Sequence, residues 1–213
     1  VDIRRTLSFQ SNMRYLHDRT TESLGLLYAM HWPFRQPETA RAIRRTPLHE
    51  HLAKANACFG EAGGWERPNW FAPEGVIPEY DHTYGKPVWL IYSGNEHRAV
   101  RENVGLLDIS TFSKFLLQGR DAERIINYVS TNNMAVAPGR IVYTQWLNEQ
   151  GGISADLTVT RLAKDAYLVM TAFSSHTRDY NWLQRHIPSD AHAVLTDVTP
   201  SYAGINVQGP NSR

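Results

Sequence analysis

The sequence predicts an α+β protein, with a mostly antiparallel sheet and helices packed on it. Three observations carry this. Short apolar runs that read as strands recur at 106–109, 114–118, 141–147, 153–162, 167–171, 192–198 and 202–207, with alternation of period two plain in 153–160 and 202–207. Segments of helical period stand among them at 11–30, 94–104 and 121–129. The connections are short, as at Asn148-Glu149-Gln150-Gly151-Gly152, and a short glycine-containing connection joins strands that run antiparallel. Strands and helices mixed in this way belong to the α+β class. The composition fits a packed core: 42% of 213 residues are apolar, 11% aromatic and 20% charged, which excludes wholesale disorder or a fibre. Lys and Arg total 22 against 21 for Asp and Glu, so the net charge of +1 supplies no electrostatic argument for a nucleic-acid partner. The single cysteine, Cys58, makes neither an intrachain disulfide nor a multi-cysteine metal site. No apolar run reaches the ~18–20 residues of a membrane span.

Each element has its own signal. In 11–30, Met13, Leu16, Leu24, Leu27, Tyr28 and Met30 recur at helical spacing; Thr20 and Thr21 predict a break, and His31-Trp32-Pro33 the end. Arginines 35, 41, 44 and 45 with Pro37 and Pro47 read as a solvated connector, or as an arginine surface for an acidic neighbouring domain. Residues 57–75 mix Gly and Pro with two Trp and two Phe and predict an irregular segment packed by rings. Ser93 and Glu96 fit a capping box that starts a helix over 94–104, with Gly105 as its stop. Asp121 lies near the positive end of helix 121–129. Ser174 or Ser175 starts a last helix that carries Tyr180, Trp182 and Leu183. The chain ends in an apolar alternating run that meets a Gly-Pro turn, and it starts without Met, so it reads as an internal piece of a longer polypeptide.

The segment richest in chemical meaning is Ile153–Thr160. Ile153, Ala155, Leu157 and Val159 take one face; Ser154, Asp156, Thr158 and Thr160 take the other. A carboxylate inside a strand is disfavoured. Asp156 is therefore either a solvent-facing acid among hydroxyls or a group placed to hold an NH-rich heterocycle. Tyr143 lies across the hairpin, and its nearness to Asp156 depends on a register that the sequence leaves open. Asp108 reads as structural, with Ser110 and Thr111 as local donors. Nine histidines include no HExxH, and His49 and His51 point apart on a helix, so no metal site is expected. Neither GxGxxG, GxxxxGK[ST] nor GxSxG occurs, so a nucleotide phosphate loop and a serine-hydrolase elbow are not expected.

Several of these motifs together resemble a known family. Glu96-His97-Arg98-Ala99-Val100-Arg101 through Gly105-Leu106-Leu107-Asp108-Ile109-Ser110 resembles the early segment of glycine-cleavage T-proteins, the aminomethyltransferases. Tyr143-Thr144 through Asn148-Glu149-Gln150-Gly151-Gly152-Ile153-Ser154-Ala155-Asp156-Leu157, then Arg178–Trp182 and Val207–Pro210, continue the match in order. His31–Phe34, Arg45–Leu48 and Gly64–Phe71 resemble the junction in the FAD-dependent dimethylglycine and sarcosine dehydrogenase family. The regulatory subunit of pyruvate dehydrogenase phosphatase has a similar junction.

The resemblance implies two modules. Residues 1–60 would be the tail of the central region of an FAD-dependent oxidoreductase. Residues 61–213 would be the first part of a T-protein-like folate-binding domain. It implies that Asp156 is the catalytic and folate-contacting aspartate, with Ala155 where the family has a further Asp. It implies that Tyr143 is a pocket tyrosine and that Phe112, Leu116 and Val169 are pocket-wall residues. Thr171 stands where T-proteins use Asn against the pterin. The implied cofactors are tetrahydrofolate and an FAD held by an upstream part. The implied partners are an N-methyl amine substrate and the rest of the same polypeptide, with no nucleic acid or membrane. The compartment would be the cytoplasm in a bacterium and the mitochondrial matrix in a eukaryote. The alternative implication is a non-catalytic regulatory module.

Overall fold

A computed structural model describes residues 6–213. The elements run α1 (Met13–Gly25), α2 (His49–Lys54), β1 (Ala57–Ala62), β2 (Trp65–Phe71), α3 (Trp89–Glu102), β3 (Gly105–Asp108), β4 (Ser113–Gln118), α4 (Ala122–Val129), β5 (Ile141–Leu147), β6 (Ile153–Ala163), β7 (Ala166–Thr171), α5 (His176–Arg185), β8 (Val194–Asp197) and β9 (Ile205–Gln208). They form two compact units, Leu7–Ser110 with Ala203–Arg213, and Thr111–Tyr202. All paired strands among these are antiparallel.

The first unit holds α1, α2, the β1–β2 hairpin, α3 and the β3–β9 pair. Asn12 caps α1 by accepting from the amides of Arg14 (3.0 Å) and Tyr15 (3.2 Å). The helix does not break at Thr20 and Thr21. The Thr21 hydroxyl donates back to the His17 carbonyl at 2.8 Å, which lets a threonine sit mid-helix. It ends at Gly25, earlier than the proline signal suggested.

Residues 57–71 are a hairpin where an irregular segment was expected. Ala62 pairs with Trp65 across Gly63 and Gly64, whose φ angles are +59° and +81°. Two positive φ values make the tight turn that matches strand twist, and only glycine takes both without strain. Pro68 is accommodated at a register shift opposite Phe59. The hairpin seats Trp70 and Cys58 in a small core with Ala72.

The arginines of 35–47 are neither simply solvated nor left free. Arg41 forks onto the buried Glu66 carboxylate, which also accepts from the Ala42 amide at 2.7 Å. Burial works against the Glu66 charge, and these bonds outweigh it, so its carboxyl is held below its ordinary range. The Arg44 guanidinium lies 4.1 Å from the centre of the Trp65 ring.

Helix α3 begins at Trp89, not beside Ser93. Both Asp81 carboxylate oxygens accept from the Val88 amide at 3.2 Å, and Glu96 accepts from the Phe71 amide at 2.9 Å instead of closing a capping box. Gly105 starts β3 and does not stop the helix. Asp108 is structural, as expected. Its carboxylate accepts from the Ser110 amide (2.9 Å) and the Thr46 hydroxyl (2.6 Å).

The second unit is a five-stranded sheet of order β5-β6-β7-β4-β8, packed by α4 and α5 on one face. Ala122, Ile125, Ile126 and Val129 line one side of α4 at the helical interval and are buried. They meet Phe115, Leu117, Trp146, Ala155, Leu157, Val159, Tyr167 and Val169 from the sheet, and Leu183 from α5. The β5–β6 turn is organised by Asn148, whose side-chain oxygen accepts from the amides of Gln150 (3.1 Å) and Gly152 (2.8 Å). Gly151 takes φ +79° there. Asp121 lies next to α4 but does not cap it; its carboxylate accepts from the His192 amide at 2.7 Å.

Candidate functional site

The period-two reading of β6 places its residues well. Ala155, Leu157 and Val159 face the core, while Asp156 is exposed and Ser154, Thr158 and Thr160 are half-buried on the other face. Ile153 is the exception, being 70% exposed at the strand's start. Register decides what joins Asp156. Tyr143 pairs with Thr158 and Gln145 with Asp156, so Tyr143 and Asp156 are diagonal neighbours on one face. The Asp156 carboxylate accepts the Tyr143 hydroxyl, and this bond pushes the phenol above its ordinary pKa.

The other expected residues divide between the two faces. Leu116 pairs with Leu168 and is half-buried on the Asp156 face. Phe112 is 37% exposed just before β4. Val169 pairs with Val159 and is fully buried in the core, so its side chain is turned away from Asp156. Thr171 is also buried, yet it stands at the end of β7 and lines a cleft with Asp156.

That cleft has a volume of about 360 Å³ and is lined by Ile153, Ser154, Ala155, Asp156, Thr171, Ala172, Ser174, Ser175 and Arg178. The start of β6 supplies one wall. The turn from β7 into α5 supplies the other. The Ser154 and Ser174 hydroxyls make no hydrogen bond among the described residues, so they are open to a ligand. One carboxylate beside open hydroxyls accepts from an NH-bearing heterocycle and tolerates a cationic nitrogen.

Behind the cleft lies a network that sequence reasoning missed. Asp179 is 1% exposed. Its carboxylate accepts the hydroxyls of Thr171 and Ser175, both at 2.6 Å, and the Arg178 Nε–H at 2.8 Å. This anchors the end of β7 to the first turn of α5. The available signal was helical spacing: Ser175 and Asp179 lie four apart on one side of a predicted helix.

A second cluster braces the same helix end. His176 Nδ1 lies 2.9 Å from the Ser113 hydroxyl, and its Nε2 lies 3.3 Å from Asp197. Partial burial raises the Asp197 pKa, but His176 and both donors of Thr199 outweigh it and hold the carboxyl down at about 2. Ser113 is 1% exposed, so this Ser-His-Asp contact fixes structure and presents no nucleophile. Among the described residues, no three His, Cys, Asp or Glu side chains gather to hold a metal. No described helix is long and apolar enough to cross a membrane.

Comparison with known proteins places this geometry. A 4-methylaminobutanoate oxidase (formaldehyde-forming) from Paenarthrobacter nicotinovorans is 45% identical over the whole chain, which covers 26% of that protein. The mitochondrial pyruvate dehydrogenase phosphatase regulatory subunit of Mus musculus is 31% identical and the mitochondrial sarcosine dehydrogenase of Homo sapiens 32%, again over the whole chain and 25% and 27% of those proteins. The chain thus spans about a quarter of the length of these relatives. The crystal structure of the glycine cleavage system aminomethyltransferase T from Bartonella henselae shares the fold, with a TM-score of 0.62 at 23% identity, over 80% of this chain and 42% of that one. The FAD dependent oxidoreductase central domain family matches residues 1–46. Residues 48–213, with the Asp156 strand, the cleft and the Asp179 network, match the GCVT N-terminal domain, and the chain belongs to that family.

Proposed function

We propose that this chain is a section of a flavin-dependent oxidoreductase of N-methyl amino acids, and that its cleft receives tetrahydrofolate. The observation that carries the reading is the exposed Asp156 carboxylate in a hydroxyl-lined cleft of a GCVT domain. Relatives named as an N-methylamino acid oxidase and a sarcosine dehydrogenase support the oxidoreductase part. FAD would be held by an upstream part of the polypeptide. The division between the flavin-side module and the folate-side module is proposed between residues 46 and 60, and a cut at 60 falls within β1.

The residues fit a reduced pterin, whose N–H groups need acceptors. Asp156 would take them, Tyr143 would fix the Asp156 rotamer, and Ser154 would add a hydroxyl; Thr171 and Leu116 would border the ring, with Phe112 at the rim. When bound, tetrahydrofolate would supply the two amine nitrogens that take up the one-carbon unit of a methylene iminium, and the demethylated amine would leave. Asp156 would stabilise positive charge at the reacting nitrogen and hold the proton released there. The compartment proposed is the cytoplasm for a bacterial parent and the mitochondrial matrix for a eukaryotic one.

A second reading, a non-catalytic regulatory module, is favoured by the 31% identity to the phosphatase regulatory subunit. One experiment separates the two. In the full-length protein, Asp156→Ala is expected to leave flavin reduction by the amine near wild type while the folate step falls about 10²–10³-fold. Free formaldehyde should rise as methylenetetrahydrofolate drops. Saturating tetrahydrofolate distinguishes lost binding, which it rescues, from lost chemistry, which it does not. Unchanged folate product would remove Asp156 from the reaction, and an inert wild type would favour the regulatory reading.

A further inference from the structure

The cleft holds a cation that the folate reading does not use. Arg178 lines it from the first turn of α5. A positive side chain there opposes the helix dipole, which favours anions at that end. The structure keeps it in place with a buried partner. Arg178 Nε–H donates to Asp179 Oδ1 at 2.8 Å, while the other Asp179 oxygen is engaged by Thr171 and Ser175. Only the inner edge of the guanidinium is used. Its two terminal nitrogens make no hydrogen bond among the described residues, and the side chain is 44% exposed. A guanidinium with its Nε end anchored offers its outer N–H groups to a carboxylate in a fixed orientation.

Asp156 lines the same cleft. The lining therefore carries one anion and one cation, with the open hydroxyls of Ser154 and Ser174 and the methyl of Ala172 among them. We propose that Arg178 is the anion-binding arm of this cleft, and that together with Asp156 it selects a small zwitterion, carboxylate on Arg178 and cationic nitrogen on Asp156. The proposal rests on the reading of Asp156 as a ligand-contacting acid. It makes Arg178 a positioning residue: it holds the carboxylate of an amino-acid-derived iminium so that the reactive carbon lies beside Asp156.

The test uses the full-length holoprotein and two probes. Glycine betaine carries a permanent cation and a carboxylate; choline carries the same cation without the carboxylate. Calorimetric titration is read together with the flavin spectrum, and the binding component that leaves the flavin unperturbed reports on the cleft. Wild type is expected to bind betaine more tightly than choline in that component. Arg178→Gln should weaken betaine about tenfold, the loss expected for a charge-assisted bond, and leave choline unchanged. Asp156→Asn should weaken both. Arg178→Lys keeps a charge beside Asp179 but lacks the fork, so it must still lower the betaine-over-choline preference even where the glutamine variant folds poorly. A wild type without this component, or an unchanged preference in Arg178→Lys, overturns the proposal. Methylenetetrahydrofolate yield in Asp156→Ala is measured apart from these titrations, so failure of the folate reading and failure of the zwitterion site give different patterns.

Discussion

Replacing Asp179 by alanine removes the acceptor on which the end of β7 and the start of α5 converge. Three donors lose it: Thr171 Oγ1 and Ser175 Oγ at 2.6 Å each, and Arg178 Nε at 2.8 Å. Thr171 is 2% exposed and Ser175 9%, so water does not replace the carboxylate freely. Ser175 keeps a bond to the Ala172 carbonyl at 3.1 Å; Thr171 keeps only a 3.5 Å contact with Ser175. A buried donor left without an acceptor costs about 1–3 kcal/mol. The half-exposed Arg178 adds under about 1 kcal/mol, because solvent screens it. Relief of the buried charge offsets part of the loss. The expected net cost is about 3 kcal/mol, at the lower end of the range for breaking a buried ionic contact. Asp179→Asn keeps one oxygen acceptor and should cost about half as much. The assay is urea unfolding followed by tryptophan fluorescence, to which Trp182 and Trp146 report from the same unit. A double-mutant cycle with Thr171→Val should show coupling above about 1 kcal/mol. A cost below about 1 kcal/mol for Asp179→Ala, with no coupling, would refute the view that this network holds the cleft wall.

Three further predictions follow from other sites. The Asp197 carboxyl, held at about 2 in the folded protein against an ordinary 3.8, stabilises the fold above pH 3.8, and that stability is lost as the pH falls toward 2; acid titration of wild type against Asp197→Asn should show the extra loss only in wild type, and parallel curves would contradict it. Gly119 has φ +132°, and a Cβ there would overlap the His192 carbonyl, so Gly119→Ala should destabilise the second unit by more than about 2 kcal/mol in the same urea assay; a near-neutral variant would show that the loop yields. The 213-residue chain by itself should bind no FAD, since no phosphate-cradling glycine motif is present, and stoichiometric flavin absorbance in the purified chain would disprove this.

Local pattern alone determined most of the second unit. The alternation in 141–147 and 153–162 and the Gly151 turn set the hairpin and its buried face, because side-chain direction in a strand is strictly local. The amphipathic stripe of α4 was legible for the same reason. The motifs around Asp108, Asp156 and Arg178 also pointed to the right family. What failed were elements whose evidence is not local. Glycines and prolines among aromatics read as an irregular, ring-packed segment, yet cross-strand packing of Trp70 and Cys58 makes it a hairpin. Ser93 read as a helix start, but the Asp81 carboxylate, twelve positions earlier, engages the Val88 amide just before Trp89. The site divided along the same line. The place of Asp156 on the polar face was legible from the alternation, whereas its nearness to Tyr143 needed a register, and register is a tertiary property. Val169 shows the limit most clearly. A resemblance put it on the pocket wall, but parity with Val159 points its side chain into the core. Asp179 and Arg178 came together with Thr171 only where β7 meets α5, because a buried carboxylate collects donors from whichever elements the fold brings to it.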